Sequence, residues 1–416
     1  MSNKLIREFT EIYDRYLSDE SSETGFAADI AFPETAEDVA ELIRQFQSEG
    51  SDYTIQGGLS GIRGEAVPHG GHIINTSRMT QFDGVYQTGE GDWIARVQPG
   101  ITLEDLKMNI AKTARGRGLI WPPAPSEGSA CIGGIVASGA FGMNVCSCGD
   151  TADHIYALEF VSKNGEIVRL ADNSSLKNWL NDNNTEKKGS CITALSLKLV
   201  KEPEVIWGTA FFFDNEDDAL EFADRLSAIK DKKISSMEYI DAASIHSTEG
   251  SRETLPALAA VPSVPDGTKA VIYVEVEGSD GSEEDAVEEL MMEVAETAAE
   301  CGADLDTAWA FTGAAEIARF HDFRHAVTES ATQNMTILHA ADRELHLISF
   351  DIWGKENIFS DLLKTFRKAA ADKDIMPMVC GSIGAPVIRA IIVPEDMKQQ
   401  NRGKELRANF IEEGGF

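Results

Sequence analysis

Gln56-Gly57-Gly58-Leu59-Ser60-Gly61 is a segment whose paired glycines let several backbone N–H groups turn toward one point. That geometry cradles a phosphate or pyrophosphate. No Gly-x-Gly-x-x-Gly opens a helix and no Gly-Lys-Ser/Thr is present, so an ordinary structural turn is the competing reading. The second segment, Trp121–Gly142, starts with Pro122, Pro123 and Pro125 and continues through Ser126, Ser129, Cys131, Ile132, Gly133, Gly134, Ser138, Gly139 and Gly142. Prolines fix an extended entry, and small residues leave a bare backbone wall against which a large flat ligand can lie. A tightly packed loop is the alternative. His321 and His325 are spaced i,i+4 and share a face of any helix; with His339 and His346 they offer metal ligands, or only a solvated surface.

These residues need elements to hold them. The spacing of Leu5, Ile6, Phe9, Ile12, Tyr13 and Leu17 predicts an amphipathic helix over residues 4–17. A strand at 27–33, a helix capped by Thr35 with Asp38 three residues on, a stop at Gly50 and a strand at 53–55 form a βαβ unit with a parallel strand pair. Strands at 72–75 and 93–97, a helix at 103–113 and a hairpin of 157–162 with 167–170 about Asn164-Gly165 follow, then a strand at 193–200. Glu202-Pro203 marks a boundary. Beyond it, strands at 207–213, 270–277, 344–352 and 387–393 alternate with helices at 216–229, 283–301 and 358–371. This pattern predicts an α+β domain with an antiparallel sheet.

The chain has 416 residues, enough for two or three domains. Its 69 acidic and 37 basic residues leave a net charge of −32, which repels phosphate backbones and anionic membranes, so no nucleic-acid partner is expected. No apolar run reaches the length of a transmembrane segment, and the N-terminus lacks the apolar stretch of a signal peptide. Cys131, Cys146, Cys148, Cys191, Cys301 and Cys380 are too scattered for a disulfide framework, which suits a cytoplasmic location. Cys146-x-Cys148 alone cannot supply a zinc or iron–sulfur site.

The two glycine segments come with further motifs in a fixed order. They are Leu17-Ser18-Asp19-Glu20-Ser21 with Phe32-Pro33, Asn75 with Ser77-Arg78-Met79, and Val97-Gln98-Pro99-Gly100-Ile101-Thr102-Leu103. Gly149 then precedes Leu158-Glu159 and Asn164-Gly165-Glu166. Together they resemble the FAD-binding domain of the vanillyl-alcohol-oxidase/para-cresol-methylhydroxylase superfamily, and within it the FAD-linked D-lactate and glycolate dehydrogenases. The resemblance implies an α+β protein with a two-subdomain PCMH-type FAD-binding domain over 1–203. A smaller antiparallel α+β substrate, or cap, domain would occupy 204–416. It implies that residues 56–61 hold the pyrophosphate, that 123–142 line the ribityl and isoalloxazine side, and that Ile192 adds backbone contacts. FAD would be non-covalent, because Leu59 occupies the usual histidine position beside the phosphate loop, while His69 and His72 flank Gly70-Gly71 nearby. Phe323-Arg324-His325 resembles the family's arginine-bearing helix start. Arg324 would anchor a substrate carboxylate and His325 would be the nearest base.

The chain also departs from that pattern. The family's Gly-Ser-Glu-Gly-Thr-Leu-Gly stretch is shortened to Glu186–Ile192, which alters one wall of the flavin site. Gly381-Ser382-Ile383-Gly384-Ala385-Pro386-Val387-Ile388-Arg389 keeps the frame of the family's metal- and substrate-binding stretch without any of its histidines, so no metal is expected. The sequence ends at Glu412–Phe416, before a further glutamate and histidine of the family. The expected activity is oxidation of a small 2-hydroxy acid. No redox motif for onward transfer is present, so a separate acceptor is implied: an electron-transfer flavoprotein, an iron–sulfur subunit or a quinone. The alternative is an FAD-binding subunit without dehydrogenase activity of its own.

Overall fold

The computed structural model describes residues 5–123, 125–180, 187–229, 231–354 and 358–411. Ala124, Glu186 and Glu412–Phe416, which the sequence reading touches, lie outside the described residues. The elements in chain order are β1 (Ile6–Glu8), β2 (Asp29–Ala31), α1 (Ala36–Glu49), β3 (Tyr53–Gln56), β4 (His72–Asn75), β5 (Phe82–Gln87) and β6 (Trp93–Val97). Next come α2 (Leu103–Lys112), β7 (Leu119–Ile120), α3 (Ile132–Ser138), α4 (Val145–Cys148), β8 (Ile155–Val161), β9 (Ile167–Leu170), α5 (Asn173–Leu180) and β10 (Cys191–Lys201). After the boundary stand β11 (Val205–Phe213), α6 (Glu216–Ala228), β12 (Ile234–Asp241), α7 (Ala242–Gly250), β13 (Ala270–Gly278), α8 (Glu284–Glu300) and β14 (Trp309–Thr312). The chain closes with α9 (Ala314–Ala341), β15 (Ile348–Trp353), α10 (Phe359–Asp372), β16 (Met378–Ser382), β17 (Val387–Ile392) and α11 (Met397–Ile411).

Contacts divide the chain into two units: Met1–Gly142 with Asp150–Glu202, and Met143–Gly149 with Pro203–Phe416. The first holds two sheets. In β1-β2-β4-β3, β2 and β3 run parallel, but each pairs with β4, which lies between them rather than leaving them as neighbours. Thr35 caps α1 as the sequence implies: Asp38 N–H donates to Thr35 Oγ1 at 3.1 Å and Thr35 N–H to Asp38 Oδ2 at 3.0 Å. Val39, Leu42, Ile43 and Phe46 then bury one stripe of α1, and Gly50 closes it with φ +68°. The second sheet runs β5-β6-β10-β8-β9, with the expected hairpin of β8 and β9 and with β7 on the end of β10.

The expected helix over residues 4–17 does not form. Ile6–Glu8 pairs antiparallel with β2, and Glu11–Leu17 is a 3-10 helix. Three residues per turn place Tyr13 and Tyr16 on one side, their rings 6.1 and 5.3 Å from Phe32, and leave Ile12 76% exposed. A helical count over 4–17 puts Ile12 on the buried face instead.

The second unit is built on one antiparallel sheet, β14-β11-β13-β12-β16-β17-β15. Alternation along its strands sorts the residues. Ile272, Val274 and Val276 of β13, Phe350 of β15 and Ile388 and Ala390 of β17 enter a core shared with α6, α8, α10 and α11. Tyr273, Glu275, Asp351 and Arg389 alternate with them, and the first two meet α9. There Phe320 stacks on Tyr273 at 3.7 Å and Phe323 meets Trp309 edge-on at 5.5 Å. A Cβ at Gly208 would stand 2.3 Å from Tyr273 Oη, so glycine is required for that layer to close.

Candidate functional site

In the first unit the Gly-Gly loop leaves β3 and meets the wall segment. Gln56 is buried and its amide is committed to shaping the loop: Nε2 donates to Tyr16 O at 2.8 Å and Ala66 O at 2.7 Å. Thr76 Oγ1 and Asn75 Nδ2 hold the carbonyls of Gln56 and Gly57 at 3.0 and 3.2 Å. A Cβ on Gly58 would lie 3.0 Å from Ser129 O, and one on Gly57 3.2 Å from Cys131 Cβ. Leu59 takes φ +63°, so the chain turns sharply at the position after the glycines. Among the described residues no backbone carbonyl accepts from the amides of Gly58, Leu59, Ser60 or Gly61. Beside the loop lies a cavity of about 410 Å³ lined by Arg15, Tyr16, Asp19, Glu20, Leu59 and Ser77, among others. Burial is the first cause that pushes the Asp19 and Glu20 carboxyls up, toward their neutral forms.

Beyond its proline entry the wall folds into a short helix. Cys131 leads into α3, which ends at Gly139 with φ +62°. Ile132 is fully buried, and Gly133 packs so closely that an added Cβ would lie 2.5 Å from Pro99 Cβ. Gly134 faces open space, and Ser138 Oγ turns back to Gly134 O at 2.8 Å. Pro123 and Gly142 are buried, while Ser126 and Ser129 are exposed. The side chain of Ile192 lies in the core of the first unit, so only its backbone, in β10, remains for a ligand. His72 begins β4, at the start of the strand expected over 72–75, stacks on Phe46 at 3.8 Å and meets Asp29 Oδ1 at 2.8 Å.

In the second unit the two stretches singled out in the sequence converge. Arg324 is not at a helix start but eleven residues into α9, buried, with Nε donating to Glu238 Oε2 of β12 at 2.8 Å. Glu238 pairs across to Ser382 of β16, and Arg389 of β17 forks onto Asp351 at 2.8 and 2.9 Å. Burial raises the Glu238 carboxyl, and Arg324 opposes that rise. Ser382 is fully buried, so neither it nor the pinned Arg389 stands in for a histidine. One turn before Arg324, His321 Nε2 meets Glu275 Oε2 of β13 at 3.1 Å. Glu275 also accepts from Tyr273 Oη at 2.6 Å and Ser235 Oγ at 3.3 Å. Burial pushes Glu275 up, but these three partners outweigh it and hold the carboxyl below its usual range. Its neighbour Glu277 is pushed up to about 7 by burial and by the charge of Glu275.

The four histidines considered as ligands do not gather. His339 Nδ1 meets Leu345 O at 2.7 Å, His346 lies beside Glu344, and His325 is half-buried with its Nδ1 inside. Among the described residues no group of three or more His, Cys, Asp or Glu is placed to hold a metal. Cys146 of α4 donates to Ser235 O at 2.7 Å, and burial raises its thiol to about 12, which makes it a packing thiol. Gly384, retained from the altered motif, lets α4 approach: a Cβ there would lie 2.4 Å from Cys146 Cβ. Glu238, Glu275, Glu277, Tyr273 and Ser235 were not singled out from sequence. Their only signal was polar residues interrupting the apolar strands at 234–241 and 270–278.

Comparison with known proteins places this geometry. The model described as FAD binding domain matches residues 27–171, and that described as FAD linked oxidases, C-terminal domain, matches residues 202–413. The chain belongs to the FAD-linked oxidases. This oxidase is 27% identical over 302 residues to a D-lactate dehydrogenase of Anaerostipes hadrus, covering 70% of this chain and 61% of that one. It is 26% identical over 223 residues to glycolate oxidase subunit GlcD of Bacillus subtilis, covering 52% and 44%. The oxidase thus spans less than two thirds of the length of either relative. A p-cresol methylhydroxylase structure shares its fold at a TM-score of 0.71 and 13% identity, over 99% of this chain and 85% of that one.

FAD is the cofactor of this FAD-linked oxidase, and its residues fit that group. The cradle at Gly57-Gly58 is one that a side chain would fill, its amides are not taken by backbone carbonyls, and Gly134 leaves the face of α3 bare. No helix among the described residues is long and apolar enough to cross a membrane.

Proposed function

We propose that the protein oxidises small 2-hydroxy acids, of the D-lactate or glycolate type, and passes the electrons to a separate acceptor. The observation that carries this reading is the setting of Arg324. Nε is the only nitrogen of its guanidinium with an acceptor among the described residues, so Glu238 fixes the group and leaves the paired Nη edge for a carboxylate. The names of the similar proteins, D-lactate dehydrogenase and glycolate oxidase subunit, support the same substrate class. Gly57, Gly58, Leu59, Ser60 and Gly61 would hold the pyrophosphate of non-covalent FAD through backbone amides. Residues 123–142 would line the ring system through backbone rather than side chains. Bound FAD supplies a two-electron acceptor. The chain's own part is to hold the acid by its carboxylate and to take up the hydroxyl proton. The net charge of −32 favours a basic docking patch on the acceptor, whether an electron-transfer flavoprotein or an iron–sulfur subunit; a quinone is the small-molecule option.

The test is the visible flavin spectrum under anaerobic addition of D-lactate and glycolate. Bleaching is expected, and Arg324→Lys, which keeps the charge but not the fork, should bind the acids about 10-fold or more weakly with flavin absorbance unchanged. A second reading, an FAD-binding subunit without its own dehydrogenase activity, is favoured by buried Ser382 and pinned Arg389 where histidines would stand. Absorbance that persists through a broad panel of 2-hydroxy acids would select it.

A further inference from the structure

Two nitrogen-bearing side chains of α9, a guanidinium and an imidazole, lie over two buried carboxylates on neighbouring strands. Arg324 rests on Glu238 of β12 and His321 on Glu275 of β13, each backed by a single contact of 2.8 and 3.1 Å. Positions 321 and 324 are three apart on one helix, so their side chains are neighbours on its surface. The two differ in access: Arg324 is 8% exposed, whereas the side chain of His321 is 47% exposed.

Oxidation of a 2-hydroxy acid to a 2-oxo acid removes a hydride from the α-carbon and a proton from the hydroxyl. Both electrons leave with the hydride, for which FAD is the acceptor, and the proton needs a base. Few groups in the cluster suit that task. Glu275 is buried and already accepts from three donors. Tyr273 donates to Glu275, and Arg324 and Arg389 carry no lone pair to offer. Glu277 stands four residues along β13 from Tyr273, the position that pairs with Glu238, and so is remote from Arg324, and His325 has its Nδ1 buried. His321 remains. An ionised Glu275 accepts a hydrogen bond from Nε2–H, which leaves the Nδ1 lone pair as the acceptor on an exposed ring.

Resting on the function proposed above, we infer that His321, oriented by Glu275, accepts the hydroxyl proton of a 2-hydroxy acid whose carboxylate sits on the Nη edge of Arg324. Hydroxyl and carboxylate are borne on adjacent carbons in that class of acid, which matches two side chains one helical turn apart. Glu275 is then a positioning residue, and the pairing replaces a base that the 381–389 stretch does not supply.

The experiment uses FAD-loaded protein mixed anaerobically with D-lactate or glycolate. His321→Gln should slow flavin bleaching by about 10²–10⁴-fold with little change in substrate affinity. Added imidazole should restore part of the rate to His321→Ala, which a purely structural role would not allow. Nitrogen-15 spectra of labelled histidine should show the Nε2–H tautomer of His321 in the wild-type protein and lose that preference in Glu275→Gln. Bleaching of His321→Gln at the wild-type rate, or an Nδ1–H tautomer in the wild type, overturns the inference and leaves the proposed function standing. A wild-type flavin that no 2-hydroxy acid bleaches overturns the function, and the inference with it.

Discussion

Glu277 lies two positions along β13 from Glu275 on the same side of the strand, so one carboxylate faces another at the edge of a buried cluster. Its titration near 7 has a definite thermodynamic sign. The folded state holds the Glu277 proton above the pH at which the unfolded chain, near 4.5, would lose it. Stability from this residue is therefore intact below the unfolded value and falls as pH rises through about 7, by up to about 3 kcal/mol. Glu277→Gln removes the penalty. Its melting temperature should exceed that of the wild type at pH 8 and converge with it near pH 5, as scanning calorimetry at the two pH values would show. An offset that does not change with pH would mean Glu277 is charged in the fold throughout. Residues of this kind were not legible in the sequence: Glu238, Glu275 and Glu277 read as strand interruptions until β12 and β13 were seen side by side beneath α9. Arg324 was legible as a motif position, but its buried partner was not.

At the scale of elements, capping and turn chemistry were the most legible signals. Thr35, Asp38 and Gly50 delimit α1, and Asn164-Gly165 joins β8 to β9, because each of these features is completed within a few residues of chain. Features settled by distant partners were not. The segment 6–8 is a strand only because β2 offers it an edge, and β4 enters between β2 and β3 from further along the chain. Helix α3 was hidden inside a run of glycines and small residues. Gly133 shows why they are there: the helix crosses Pro99 so closely that Gly133→Ala would force the two backbones apart. That substitution should cost about 1–3 kcal/mol and weaken FAD retention, measured by denaturant titration and by flavin released on dilution. Wild-type values for both would mean that α3 can shift without disturbing the cradle.

For the whole molecule, both the Gly57-Gly58 loop and α3 belong to the first unit. Saturating FAD should therefore raise the unfolding transition of that unit selectively, by about 2.7 kcal/mol at a hundredfold excess over the dissociation constant. Calorimetry resolving two transitions would check this, and an equal displacement of both would show that the units unfold as one. The second unit carries its own lesson in the sheet that runs from β14 to β15. Ile272, Val274 and Val276 fasten β13 to the helices beneath, while Tyr273, Glu275 and Glu277, interleaved with them, carry the polar groups. Odd and even positions of one strand thus answer to different demands, one set facing the core helices and the other facing α9. A lineage can trade imidazole for guanidinium or carboxylate on this sheet without rebuilding its foundation, and a protein engineer can rewrite the same alternate positions to seek new substrates.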